Sequence, residues 1–241
     1  MIATARHLSF SQLRTFVECP RKWHYEKVVR LEPERMPVSL AFGCAVHEAV
    51  AVLNEAAMVG EQVDAAQAFD RAWAPFIKED AVPLAVDDDE AENLAVKGRA
   101  LVNMYQAPTG IVAVEQGIEV ELDPALPRLI GRIDLIRQVE EGLIVADVKT
   151  SSTKVLSDTE MLAAQLGLYG MAYPAVRSEA IVLFKGKNPA QTVQTVDPWP
   201  VERLRTWAIE INAAMEAGIR YTHRSRNCRT CQYRDKCNEE G

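Results

Sequence analysis

Two short apolar runs constrain this chain more than any other feature: Gly131-Arg132-Ile133-Asp134-Leu135-Ile136 and Leu143-Ile144-Val145-Ala146-Asp147-Val148-Lys149-Thr150. Each is of strand type and carries one acid. Side chains alternate along a strand, so Asp147 and Lys149 share one face and Val148 takes the other. Glu140-Glu141-Gly142 between the runs reads as a tight turn, and a hairpin closed there brings Asp134 close to Asp147. Two carboxylates and an ammonium at the rim of an apolar sheet are costly unless something binds between them. A divalent cation is the obvious occupant. The competing account is a surface hairpin with a salt bridge, which is worth little energetically.

The remaining pattern surrounds these strands with helices. Ser9 or Ser11 caps a helix with Leu13, Phe16 and Val17 on its apolar stripe. Cys19-Pro20 interrupts it, and Arg21-Lys22-Trp23-His24-Tyr25 begins a basic, aromatic helix; the Pro33 and Pro37 segment is a linker. Helices are predicted over 40–59, 64–79 (kinked or broken at Pro75) and 90–105, with Asp87-Asp88-Asp89 in an exposed loop. A strand over 111–122 follows, with Glu115, Glu119 and Glu121 at odd positions, then the two site strands. A helix over 159–173, strands over 179–184 and 191–196, and a last long helix from Pro200 to about Gly218 complete the order. This is an α/β or α+β core with an N-terminal helical insertion.

At 241 residues and 48% hydrophobic, the chain is large enough for one sizeable core or a core with an appended helical lobe. Its start holds Arg6 and His7 rather than an apolar run, and no apolar stretch reads as long enough to span a bilayer; the expectation is a soluble, cytoplasmic protein with no membrane partner. The net charge of −7 argues against nucleic acid only as a total. Residues 1–30 hold six basic residues against Glu18 and Glu26, and residues 218–237 hold six against Asp235, so both ends are basic and the middle is strongly acidic.

Upstream of the strands, His47 sits in Gly43-Cys44-Ala45-Val46-His47, where small residues permit close packing of helix on sheet. Downstream, Gln165 and Tyr169 fall one turn apart on a helix and share a face. Singly, each is more often structural than functional. Together, the ordered set Gly-x-x-x-His, Gly-x-Ile-Asp, Asp-Val-Lys and Gln-x-x-x-Tyr resembles the RecB-like branch of the PD-(D/E)XK nucleases. The resemblance implies a restriction-endonuclease-like mixed central sheet flanked by helices. It implies Mg²⁺ or Mn²⁺ held by His47, Asp134, Asp147 and the Val148 carbonyl, with Lys149 assisting the attacking water and Gln165 and Tyr169 in support. The chemistry agrees: a cation between carboxylates lowers the pKa of water and offsets charge on a phosphate, oxygen ligands suit Mg²⁺, and one imidazole shifts the preference toward Mn²⁺.

Five cysteines remain. Cys228-x-x-Cys231 with Cys237 six residues on disfavours a simple dithiol, and a fourth ligand must come from elsewhere, with Cys19 and Cys44 available. RecB-like relatives with an iron–sulfur cluster place one cysteine ahead of the histidine motif and three at the C-terminus. The match implies a [4Fe–4S] cluster on Cys19, Cys228, Cys231 and Cys237, with zinc as the alternative and Cys44 left as a small buried residue. Such a cluster staples points 209 residues apart (228 − 19), removing roughly 5 kcal/mol of unfolded-chain entropy. It also merges the basic ends into one surface, where Trp23, Tyr25, Tyr221 and Tyr233 either stack bases or pack around the cluster.

The implied organisation is one nuclease domain over 1–241: a cluster region from 1–40 and 218–241, a helical insertion over 60–107 and a core over 108–200. The implied activity is a metal-dependent deoxyribonuclease, an exonuclease on single strands or DNA ends. Its setting is repair, recombination or CRISPR adaptation, with helicase or adaptation proteins as partners. A DNA-end-binding adaptor with little cleavage and a zinc-stabilised nucleic-acid-binding protein are the alternatives. No Gly-x-x-x-x-Gly-Lys-Ser/Thr loop is present, so ATP-driven unwinding is not encoded in this chain.

Overall fold

The structure, a computed structural model, describes residues 7–85, 88–156 and 159–240. In chain order the elements are β1 (Leu8–Ser9), α1 (Phe10–Glu18), α2 (Pro20–Trp23) running into a π turn (His24–Val29), α3 (Val38–Val59), α4 (Ala65–Trp73), α5 (Asp88–Asn103), β2 (Ile111–Val120), β3 (Leu129–Val139), β4 (Gly142–Ser151), α6 (Glu160–Ala172), β5 (Arg177–Phe184), β6 (Ala190–Thr195), α7 (Val201–Glu216) and α8 (Arg234–Glu239).

Local chemistry accounts for most boundaries. The Ser9 hydroxyl caps α1 by accepting from the Gln12 N–H, and Pro20 takes the first position of α2, where a missing N–H costs nothing. The Glu140–Gly142 turn closes the central hairpin with Gly142 at φ 140°, a conformation that side chains other than glycine rarely adopt. Pro75 does more than kink its helix: α4 ends at Trp73 and a 3₁₀ turn over Ala74–Phe76 follows, because proline cannot donate to the turn before it. Asp88 and Asp89 belong to the start of α5 rather than to a loop; Asp87 lies outside the described residues. The long helix from Pro200 is not the last, since α8 follows it.

The sheet is mixed. β2, β3 and β4 run antiparallel in sequence, β4 pairs parallel with β5 across the α6 crossover, and β6 returns antiparallel on β5. Helices α1, α6 and α7 cover one face, burying Leu13, Phe16, Ile133, Leu166, Val182 and Leu204. Helices α3, α4 and α5 cover the other, burying Phe42, Val46, Phe69, Leu101, Leu135 and Val148.

α3 corrects an expectation. At 22 residues with a mean hydropathy of 1.3, it is long and apolar enough to cross a membrane by length and composition. Its alanines and valines have another use: Ala41, Phe42, Ala45, Val46 and Ala49 are all fully buried against the sheet and its helical neighbours.

The two chain ends meet. Arg35 pairs with Asp235 at 2.8 Å, the Tyr233 hydroxyl donates to the Leu31 carbonyl, and the Asp235 and Lys236 amides donate to the Glu34 carboxylate. Trp23, Tyr25 and Tyr233 are buried here, with Tyr25 and Tyr233 edge to face at 5.7 Å, so they pack rather than offer themselves to bases; Tyr221 is exposed.

Candidate active site

The site occupies a split in the sheet. One edge of β3 pairs with β2. The other pairs with β4 from Leu135 to Val139 and with β1 at Leu129 and Ile130. Between these, Gly131–Asp134 meets no strand on that edge among the described residues. Peptide groups left unpaired in a protein interior need other partners, and the motif residues supply them. The Tyr169 hydroxyl donates to the Arg132 carbonyl at 2.6 Å. The Val148 N–H donates to Asp134 Oδ2 at 2.7 Å, and the Val148 carbonyl lies 3.0 Å from His47 Nε2. The register that pairs Leu135 with Ala146 sets Asp134 across from Asp147, one step past the end of the ladder.

His47 reaches the split from α3. Its Nε2 stands 3.1 Å from Asp134 Oδ2 and its Nδ1 3.8 Å from Glu115 Oε1. Burial alone lowers the imidazole's pKa, but hydrogen bonds to Asp134 and Glu115 outweigh it and raise the value to about 10. Without a metal, the ring is therefore an imidazolium, the cation that a group of acceptors demands.

Asp147 is almost fully buried, and burial pushes its pKa up against the pull of the Lys149 charge. Lys149 Nζ lies 2.6 Å from Asp147 Oδ2 as an ion pair, yet that oxygen receives no directed hydrogen bond. Lys149 also reaches Gln165 Oε1 at 3.5 Å, and Gln165 donates to the Tyr169 hydroxyl at 2.6 Å. Gln165 and Tyr169 thus form, from α6, one chain of contacts from the lysine to β3.

The sequence reading placed Glu115 on a strand and assigned it no role. His47, Glu115 and Asp134 are a group whose ligand atoms all lie within 4.8 Å of one another. Glu115 falls between the β2–β3 pairs Val114–Leu135 and Gln116–Ile133, opposite Asp134, and its φ of 51° is the left-handed region, rare for a non-glycine residue. Strain of this kind, about 1–3 kcal/mol, persists where the surroundings impose it. Arg132 holds the same carboxylate at 3.3 Å. The available signal was register: Glu115 lies in the strand next to Asp134, but only the pairing shows that the two face each other.

A groove of about 700 Å³ opens beside these groups, lined by His47, Glu115, Arg132, Cys44, Glu48 and Glu55. Cys44 is exposed in it, contrary to the expectation of a buried thiol, because it lies on the solvent side of α3 while Ala45 and Val46 take the core side. Gly43 is also less critical than its motif suggests: an added Cβ would stand 3.7 Å from the Thr150 hydroxyl, an ordinary contact. Gly131 is tighter. A Cβ there would meet Ile118 at 3.3 Å, with the Tyr169 ring at 4.0 Å.

The carboxylate oxygens, one carbonyl and one imidazole suit Mg²⁺ or Mn²⁺. The Asp147 carboxylate, buried beside this group and paired with Lys149, offers a further oxygen to such an ion.

Away from the split, the four expected cysteines do converge. Cys19, Cys228, Cys231 and Cys237 line one small cavity, with Lys22, Arg21, Arg224 and Arg234 around them. Burial raises the Cys231 pKa. Two buried donors on the same wall, Arg21 Nη1 and Thr222 Oγ1, have no hydrogen-bond partner.

A mixed sheet with helices on both faces and acids at its centre is the restriction-endonuclease-like architecture. The chain matches the family model of the PD-(D/E)XK nuclease superfamily across residues 7–238, and it belongs to that superfamily, whose nucleases use divalent metals. Among solved structures, SSO0001 is similar over 96% of this chain and 96% of its own at 16% identity and a TM-score of 0.40. A candidate exonuclease from Eubacterium rectale is similar over 88% of this chain and 79% of its own, at 12% identity and a TM-score of 0.48. At TM-scores below 0.5, neither likeness bears on function. No curated protein matches the chain.

Proposed function

We propose that the chain is a divalent-metal-dependent deoxyribonuclease of the RecB-like branch, an exonuclease hydrolysing DNA from single-stranded or free ends. The observation that carries this reading is the convergence of His47, Asp134, Glu115 and the Val148 carbonyl at the sheet split, with the Asp147–Lys149 pair beside them. When bound, Mg²⁺ or Mn²⁺ supplies Lewis acidity and an activated water. His47, Asp134, Asp147 and the Val148 carbonyl would hold the ion, and Glu115 would add a carboxylate. Lys149, positioned by Asp147 and Gln165, orients the attacking water and stabilises charge developing on the phosphate. Gln165 and Tyr169 keep the lysine and the β3 backbone in register.

The four-cysteine cavity supports a [4Fe–4S] cluster: four thiols, the unused Thr222 hydroxyl suited to its sulfurs, and basic neighbours to offset its charge. Zinc on the same four thiolates is the alternative occupant. The cluster serves as a staple between the chain ends. The setting we assign is cytoplasmic DNA repair, recombination or CRISPR adaptation, alongside helicase or adaptation partners.

The test is degradation of end-labelled single strands, with free or blocked ends, by anaerobically purified protein with Mg²⁺ or Mn²⁺. Stepwise shortening of open substrates alone is the predicted result. Equal cutting of the end-blocked strands refutes the exonuclease assignment, and a bound but intact strand refutes the nuclease.

A further inference from the structure

Next to the cysteine cavity, and sharing Arg21 and Tyr25 with it, lies a second pocket of about 350 Å³. Arg21, His24, Arg220 and Lys236 line it, and Glu240 is the acid in its lining. The Glu240 carboxylate sits among these groups as an anion would. Tyr25 donates to its Oε2 at 2.6 Å, Lys236 Nζ is 3.5 Å from its Oε1, and Arg21 Nη1 is 4.0 Å from its Oε2.

The carboxylate leaves the cations underused. Arg21 Nη1 is buried without a hydrogen bond, and Arg220 has no ion-pair partner among the described residues. The local field is positive: burial lowers the His24 pKa, and the Arg220 and Arg21 charges lower it further against Glu240. The backbone here is a π turn capped by left-handed Arg30, an uncommon geometry that recurs at functional sites. A phosphate carries more charge than a carboxylate and more acceptor oxygens, enough to engage the idle guanidinium nitrogen as well.

We propose that Arg21, His24, Tyr25, Arg220 and Lys236 form a binding site for a phosphate group, free or as the terminal phosphate of a nucleic-acid strand, and that Glu240 fills the site in its absence. The site shares no residue with the sheet split, so it stands independently of the nuclease reading.

Two exposed residues give a test with opposite signs. Binding of inorganic phosphate, and of a short single strand with or without a 5′-phosphate, is measured by calorimetry on the full chain without added divalent metal. Glu240→Gln removes the competing charge and tightens phosphate binding at least about threefold; Arg220→Gln weakens it at least about fivefold. If the 5′-phosphate strand follows this pattern and the bare strand does not, the strand end is the ligand. If only inorganic phosphate follows it, free phosphate is the ligand. Phosphate affinity that is absent in Glu240→Gln, or unchanged in Arg220→Gln, overturns the site. Loss of DNA cleavage in Asp147→Ala reports on the nuclease reading alone.

Discussion

His47 shows how one side chain answers to two masters. It bridges the Val148 carbonyl, Asp134 and Glu115 as a cation; to hold a metal, the same ring must give up its proton. A folded-state pKa of about 10 against an ordinary 6.5 means that this contribution to stability is complete below about pH 6.5 and lost as pH rises through about 10. Melting of EDTA-treated wild type and His47→Gln should therefore show a stability gap that is widest below pH 6.5 and closes toward pH 10. A gap independent of pH contradicts the imidazolium. Glu115 gives a second test at this scale. Glu115→Gln keeps the shape and removes one charge, so Mn²⁺ affinity by calorimetry should fall about tenfold, as loss of supporting groups at metal sites typically does. Unchanged affinity leaves Glu115 only its contacts with His47 and Arg132.

At the level of elements, the hairpin and the α6 pair were legible because period and spacing are local signals: Asp134, Asp147, Lys149, Gln165 and Tyr169 fell where alternation and the helical turn put them. The split itself was not legible. It depends on β1, two residues long, taking the place beside β3 that β4 gives up, and no local pattern announces a two-residue strand. Glu115 was missed for the same reason, since register between distant strands is a tertiary property. Gly131 and Gly43 test this distinction. Gly131→Ala presses a methyl onto Ile118 and toward the Tyr169 ring and should cost about 1–3 kcal/mol by chemical denaturation. Gly43→Ala meets only an ordinary contact inside a helix and should be neutral or stabilising by up to about 1 kcal/mol. Equal costs would mean that the crowding at Gly131 is not as the geometry has it.

For the whole molecule, the termini were brought together in the sequence reading by cysteines alone. The fold adds the Arg35–Asp235 pair, the Tyr25–Tyr233 contact and the Glu34 carboxylate beneath α8. It also tempers the basic surface, because Glu239 and Glu240, beyond the stretch counted from sequence, fold back onto Lys236, and Glu240 also onto Arg21. Anaerobically purified wild type should absorb in the visible as an iron–sulfur protein does, and Cys228→Ser should lose that absorption and expose the segment after α7 to limited proteolysis, while leaving the metal site's residues in place. Retained colour, or a tail as resistant as wild type's, contradicts the staple.

The central claim is that a cation sits where the sheet parts, held from α3, β3 and β4 at once. Mn²⁺ titration followed by electron paramagnetic resonance tests it without any assumption about substrate. The account predicts one tight site in the wild type, lost in both His47→Ala and Asp134→Ala with melting curves still cooperative. Full-strength Mn²⁺ binding in either folded variant would contradict it.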